Sequence, residues 1–263
     1  MILQGDFYSQ SLDMETGVAL VAADDFTKAP PRRVVYLLHG LQGRYDDFLY
    51  YTVLPDLCRN AHCLFVLPDA QRSFYADMAV GNRYFTYLTE ELPHIVADLF
   101  RVSSRREDAC LIGASMGGYG ALKAAFSHPE RYAAVAAFSP CCLDMREYMT
   151  PQWRSGQAGD AFRRIFGDRL ATDFDAAFGP GSTYQPENDV LFLAERAAKA
   201  PVRPRVFTCW GDEDIFRDTN RRFPEQMAAL GWPIESRELK GHMHNWAFFN
   251  EALKLALPFC LER

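Results

Sequence analysis

The sequence contains no CxxC pair, no basic block, no low-complexity tract and no long apolar run. Each absence removes a class of protein. Its seven cysteines (58, 63, 110, 141, 142, 209 and 260) form an odd set without metal-knuckle spacing, which argues against a disulfide framework and a structural zinc site. Cys110 and Cys209 sit inside apolar runs and read as small core residues. Lys and Arg total 28 against 34 Asp and Glu, a net charge of −6 with no clustered positive face. A nucleic-acid or anionic-membrane partner is therefore not expected. The longest apolar run, near Ala133 to Phe138, is far too short to cross a bilayer. Met1-Ile2-Leu3-Gln4-Gly5-Asp6 lacks a basic stretch leading into an apolar one, so the expected compartment is the cytoplasm.

What is present is a chain of 263 residues, 49% hydrophobic and 14% aromatic, enough to bury a large core. Short apolar runs recur, each closed by a turn signal. Val34 to Leu38 ends at His39-Gly40, Cys63 to Leu67 at Pro68-Asp69, and Ala109 to Ile112 at Gly113. Ala133 to Phe138 ends at Ser139-Pro140, and Arg205 to Cys209 at Trp210-Gly211-Asp212. Continuous rather than alternating apolar runs are the mark of strands buried on both faces of a parallel sheet. Between them Thr89 to Phe100, Gly117 to Ser127, Asn220 to Leu230 and Trp246 to Leu257 carry helical periodicity. The alternation predicts an α/β sandwich with its ligand site outside the carboxyl ends of the strands. The Phe-, Gly- and Pro-rich stretch from about 144 to 199 breaks the rhythm and reads as a cap-like insertion over those ends. With no linker signal elsewhere, residues 1–263 are expected to form one domain.

Gly113-Ala114-Ser115-Met116-Gly117 matches G-x-S-x-G, follows an apolar strand and opens an Ala-rich helix. That is the strand–turn–helix elbow that lifts a nucleophilic serine above a sheet. Neither the lysine of a P-loop nor GxGxxG spacing is present, which removes the phosphate-loop reading. A serine needs a histidine to take its proton and a carboxylate to orient that histidine. Past Cys209 the only histidines are His242 and His244, in a loop before the last helix. Asp212, Glu213 and Asp214 offer three carboxylates after the preceding strand, and spacing alone does not choose among them. The oxyanion needs two backbone donors. The amide of Met116 at the helix N-terminus and that of Leu41, after His39-Gly40, are the candidates. His39 itself reads as a residue that shapes this loop. His242 and His244 could ligate zinc as H-x-H, but no HExxH or acidic cluster accompanies them, so neither a metal nor a cofactor is expected.

Together these residues resemble the esterase D-type branch of the α/β-hydrolases, above all the tributyrin esterase and short-chain carboxylesterase group. The resemblance is carried by Leu37-Leu38-His39-Gly40-Leu41, Leu67-Pro68-Asp69, Ser73-Phe74-Tyr75-Ala76-Asp77, Tyr87 to Leu92 and Gly113 to Leu122. It runs in register from about residue 34 to 140 and resumes at Gly211 and at His244-Asn245-Trp246. It implies an α/β-hydrolase fold with a mostly parallel sheet and a serine carboxylesterase acting on short-chain acyl esters. A G-x-x-D after the strand selects Asp214, and the family's H-D-W before the final helix selects His244. This chain departs from the latter in having Asn245 where Asp is usual and Met243 where a small residue is expected.

The implied partner is a small-molecule ester, and the exposed helices could also support a homo-oligomer. Competing readings on the same scaffold are a thioesterase resembling S-formylglutathione hydrolase, an acyltransferase resembling the mycolyltransferases, and an acetyl or feruloyl carbohydrate esterase. A hydrolase fold retained only for binding is the non-enzyme reading. Trp153, Phe174 and Tyr184 could stack on a substrate ring, although packing is the expected role.

Overall fold

The computed structural model describes residues 1–26, 28, 31, 33–59, 61–148, 157–179 and 184–262. Eight strands form one sheet: β1 Ile2–Ser9, β2 Met14–Val21, β3 Arg33–Leu38, β4 Cys63–Pro68, β5 Ala109–Ala114, β6 Ala134–Phe138, β7 Arg205–Gly211 and β8 Ile234–Leu239. Their order is β1-β2-β4-β3-β5-β6-β7-β8. β3 to β8 run parallel, whereas β1 pairs antiparallel with β2 and β2 antiparallel with β4. The N-terminal pair is absent from the sequence reading. Ile2 to Phe7 is mostly exposed, so β1 has no apolar run to announce it.

The helices of eight residues or more are α1 Leu92–Phe100, α2 Met116–Ser127, α3 Gln157–Phe178, α4 Val190–Ala197, α5 Arg217–Ala229 and α6 Trp246–Leu261. The periodic segment predicted from Thr89 becomes α-helical only at Leu92, because Tyr87–Glu91 is wound as a π turn. There the Glu91 carboxylate accepts from Ser9 Oγ and from the Gln10 and Ser11 amides, and so fastens the β1–β2 turn.

The central strands are buried on both faces, as their unbroken apolar runs require. Val34, Tyr36 and Leu38 of β3 face one core, and Val35 and Leu37 the other. The first core is closed by α1, α2, α4 and α5, and the second by α6 with Phe48, Leu54 and Cys58 from two short helical turns. The segment from 144 to 199 divides in two. α3, broken at Gly167 where φ is 78°, brings Leu170 and Phe174 to the strand ends. α4 instead lies against α2 and buries Val190, Leu193, Ala194 and Ala197 as an ordinary layer of the sandwich. Among the described residues no helix is long and apolar enough to cross a membrane.

All seven cysteines are free and buried. Burial pushes the Cys58 thiol up to about 11 and the Cys209 thiol up to about 12, from an ordinary 9. Tyr36, Tyr87 and Tyr132 are raised for the same reason. A group whose pKa is raised on folding contributes stability that is complete below its unfolded value and is lost as pH climbs toward its folded value. Lys123, buried and lowered to about 8 from 10.5, and Cys110, lowered by its hydrogen bond with Cys260, act in the opposite sense up to their unfolded values, but they are two groups against many that are raised. The thermal midpoint should therefore fall as pH rises from 9 to about 11, and fall less in Cys209→Ala. A midpoint that is flat or rising over that range in a calorimetric pH series would contradict this assignment.

Candidate active site

The elbow between β5 and α2 is built by exclusion of side chains. A Cβ on Gly113 would lie 2.0 Å from the Gly117 carbonyl oxygen, and one on Gly117 would lie 2.0 Å from the Leu38 carbonyl oxygen. Those distances are impossible for backbone contacts, so both positions must be glycine. Ser115 between them takes φ 56°, ψ −116° and stands as the N-cap of α2. Few non-glycine residues adopt such a backbone, and here it is held by the Ser115 amide donating to Phe138 O at 2.8 Å.

His244 and Asp214 meet Ser115 from two other strand ends. His244 Nε2 is 2.9 Å from Ser115 Oγ, and His244 Nδ1 is 2.9 Å from Asp214 Oδ2. The Asp214 side chain is fully buried, and its Oδ1 accepts the Phe216 amide at 2.7 Å. An ionised carboxylate only accepts, so Nδ1 carries the imidazole proton and Nε2 presents its lone pair to the serine hydroxyl. Phe216 and Phe249 meet the ring edge-on, each with centroids 5.2 Å away, and limit its rotation.

The other candidates are held elsewhere. Asp212 Oδ1 accepts the Gly241 amide at 2.7 Å, tying the two strand-end loops together, and Glu213 is exposed. His242 turns toward Phe248, and its carbonyl accepts the Glu213 amide at 3.0 Å.

On the opposite side of Ser115 lies the loop after β3. Gly40 comes within van der Waals distance of Ser115, where a Cβ would lie 3.5 Å from the serine Cβ. His39 is 1% exposed and faces away from the serine. The Ala70 amide donates to its Nε2 at 2.9 Å, so the proton is on Nδ1, which donates to Gly40 O at 2.7 Å. Asp69 Oδ1 stands 3.5 Å from Nε2 and takes the Gln71 amide at 2.8 Å. Gly40 O and the Leu41 N–H belong to one peptide unit. A donor on the oxygen therefore both orients and polarises the amide at the other end. Tyr75 Oη donates to His39 O at 3.1 Å and braces the same loop. The Met116 amide is one of the first four of α2, which have no intrahelical acceptor.

A cleft of about 700 Å³ opens over Ser115 and His244. Several of its walls carry no sequence signal. Tyr51 and Asp47 come from a five-residue helical turn, Cys141 and Cys142 follow β6, and Arg72 reaches in from the loop after β4. Arg72 pairs with Asp173 of α3 (Nη2 to Oδ2, 2.5 Å) and approaches Leu41 O at 3.4 Å, linking the covering helix to the loop beside the serine. Of the three aromatics singled out from the sequence, Phe174 lines the cleft while packing on Phe74 and Phe178. Tyr184 instead donates to Asp189, and Trp153 lies outside the described residues. Among the described residues no three His, Cys, Asp or Glu side chains group as a metal site would require.

Asn245 has a structural task. It is the N-cap of α6, and its Oδ1 accepts the Phe248 amide at 3.1 Å, which a carboxylate would do equally well. Asn245→Asp is expected to keep the thermal midpoint within experimental error, whereas Asn245→Ala should lose about 1 kcal/mol in urea unfolding. Equal midpoints for Asn245→Ala and the native chain would rule out the capping role.

The sequence model of the Esterase family matches residues 9–260. The chain is 45% identical to an S-formylglutathione hydrolase of Bos taurus, over 94% of its own length and 88% of that protein's. It is 25% identical to an acetyl esterase of Caldicellulosiruptor saccharolyticus, over 98% of its length and 97% of that protein's. A fluorophosphonate-binding serine hydrolase of Staphylococcus aureus superimposes with a TM-score of 0.83 at 21% identity, covering 100% of this chain and 99% of that one, and so shares the fold. The chain belongs to the Esterase family, has the α/β-hydrolase fold, and is a carboxylic ester hydrolase.

Proposed function

We propose that the protein is a serine carboxylesterase of short-chain acyl esters, with Ser115 as nucleophile, His244 as general base and Asp214 as the group that fixes the imidazole. The observation that carries this reading is the unbroken chain of two 2.9 Å hydrogen bonds from Asp214 through His244 to Ser115. Ser115 Oγ attacks the ester carbonyl as its proton passes to His244 Nε2, and the imidazolium formed is stabilised by the buried Asp214 carboxylate. The Leu41 and Met116 amides receive the oxyanion, the second with the positive end of the α2 dipole behind it. The imidazolium then protonates the departing alcohol, and a water activated by the same nitrogen releases the acid from Ser115.

Within this reading residues 1–263 act as a single hydrolase unit, and α3 is the part of the 144–199 segment that caps the cleft. Cytoplasmic residence fits seven free, buried thiols. Thioester hydrolysis is the second reading, favoured by the 45% identity to an S-formylglutathione hydrolase.

Ser115→Ala should abolish p-nitrophenyl acetate hydrolysis and labelling by a fluorophosphonate probe. His244→Ala should cost several orders of magnitude in kcat, and Asp214→Asn nearly as much through the wrong tautomer. His242→Ala and Asp212→Asn should keep most of it. Substantial turnover by Ser115→Ala would falsify the assignment. Rates on p-nitrophenyl acetate, butyrate and octanoate beside an acyl-glutathione rank ester against thioester. A kcat/KM on the thioester above all three esters makes thioester hydrolysis the function.

A further inference from the structure

The lining of the cleft differs in character between the residues drawn from the first core and those drawn from the second. The side toward the first core is walled by Phe74, Leu170 and Phe174, which are 3%, 8% and 5% exposed, together with Arg72, which pairs with Asp173. The side toward the second core is the more exposed. There Tyr51, 56% exposed, stacks on Trp246 with centroids 5.2 Å apart and planes inclined by 28°. Rings connect this pair to the catalytic imidazole: Trp246 meets Phe249 at 5.4 Å, and Phe249 meets His244 at 5.2 Å. One turn before Tyr51 on the same short helix, Asp47 also faces the cleft. Its Oδ2 accepts the Arg44 amide at 3.0 Å, and Oδ1 is the atom left for a ligand.

Chemistry assigns the buried and the exposed side different occupants. The acyl group stays bonded to Ser115 between the two half-reactions and is best held on the buried apolar side. The alcohol takes a proton from His244 and must leave, which needs the side exposed to solvent. A large aromatic exposed on that side costs hydration unless a flat partner covers it. Trp246 is anchored from behind by Phe48, edge-on at 5.2 Å, so the platform is rigid before a ligand arrives.

We propose that Tyr51 and Trp246 form a leaving-group subsite for esters whose alcohol carries a ring, with Asp47 accepting from a hydroxyl on that ring. The assignment rests on the nucleophile reading of Ser115. Both an aryl ring and a sugar ring present a face that such a platform can cover. A sugar alone adds the hydroxyls that Asp47 would recognise.

The test uses acetates of matched acyl group: ethyl acetate, benzyl acetate and a monoacetylated methyl glucoside. Methyl acetate and methyl phenylacetate form a second pair that places the ring on the acyl side. Tyr51→Ala is expected to lower the kcat/KM of benzyl acetate relative to ethyl acetate about three- to tenfold, the effect of one ring–ring contact. The ratio of methyl phenylacetate to methyl acetate should not move. Tyr50→Ala, 68% exposed and outside the cleft lining, should move no ratio. Asp47→Asn is expected to lose activity on the sugar ester alone, and no loss there overturns the role given to Asp47. Unchanged benzyl and sugar ratios in Tyr51→Ala overturn the subsite, as does an equal loss on methyl phenylacetate. A native enzyme that hydrolyses no ester at all overturns the Ser115 reading, whereas hydrolysis with unmoved ratios overturns the subsite alone.

Discussion

The close approach of three backbone segments governs the rest of the structure. The end of β3 at Leu38, the end of β5 at Gly113 and the first turn of α2 at Gly117 converge until no Cβ fits between them. The convergence forces the sharp turn, places Ser115 at φ 56° and points the first amides of α2 toward whatever sits on the serine. The sheet supplies the rigidity. β5 lies between β3 and β6 in a parallel ladder with both faces buried, so the strain at one residue is carried by the packing of many.

Two hydrogen-bond relays of opposite purpose flank the serine. On one side Asp214, His244 and Ser115 form a chain of two 2.9 Å hydrogen bonds, along which a proton would move in the proposed reaction. On the other side Ala70, His39 and Gly40 form a chain that should not move. Its imidazole is buried and hydrogen-bonded at both nitrogens. The same residue type is the proposed base in one place and a rigid strut in the other. Solvent access and the partner at the second nitrogen decide between the roles.

Much of this was legible because the signals are local. The runs at Val34, Cys63, Ala109, Ala133 and Arg205 announced doubly buried strands, and the two glycines around Ser115 announced an elbow whose packing admits nothing larger. The N-terminal strands were not legible. β1 is held by pairing and by the Glu91 carboxylate rather than by an apolar pattern of its own. The covering segment was legible as an interruption but not as two parts, since Val190 to Ala197 joins the sandwich through the surfaces of α2 and α5 that it meets. Asn245 looked like a departure from the family pattern while its side chain does a cap's work, which needs an acceptor and no charge.

The sequence by itself determined the class of fold, the nucleophile candidate and the neighbourhoods in which its partners had to lie, because these follow from period, turn chemistry and glycine placement along the chain. It favoured Asp214 over Asp212 and His244 over His242 only through resemblance. The four side chains differ in where they point, and direction is set by the packing of β7, β8 and α6 around them. Tertiary structure alone decided the walls of the cleft. Tyr51, Arg72, Cys141 and Trp246 come from separate loops and helices and acquire a common role only where the chain folds them around one serine. Contacts between residues far apart in sequence depend on the geometry of the whole sheet, and no window of the chain contains that geometry.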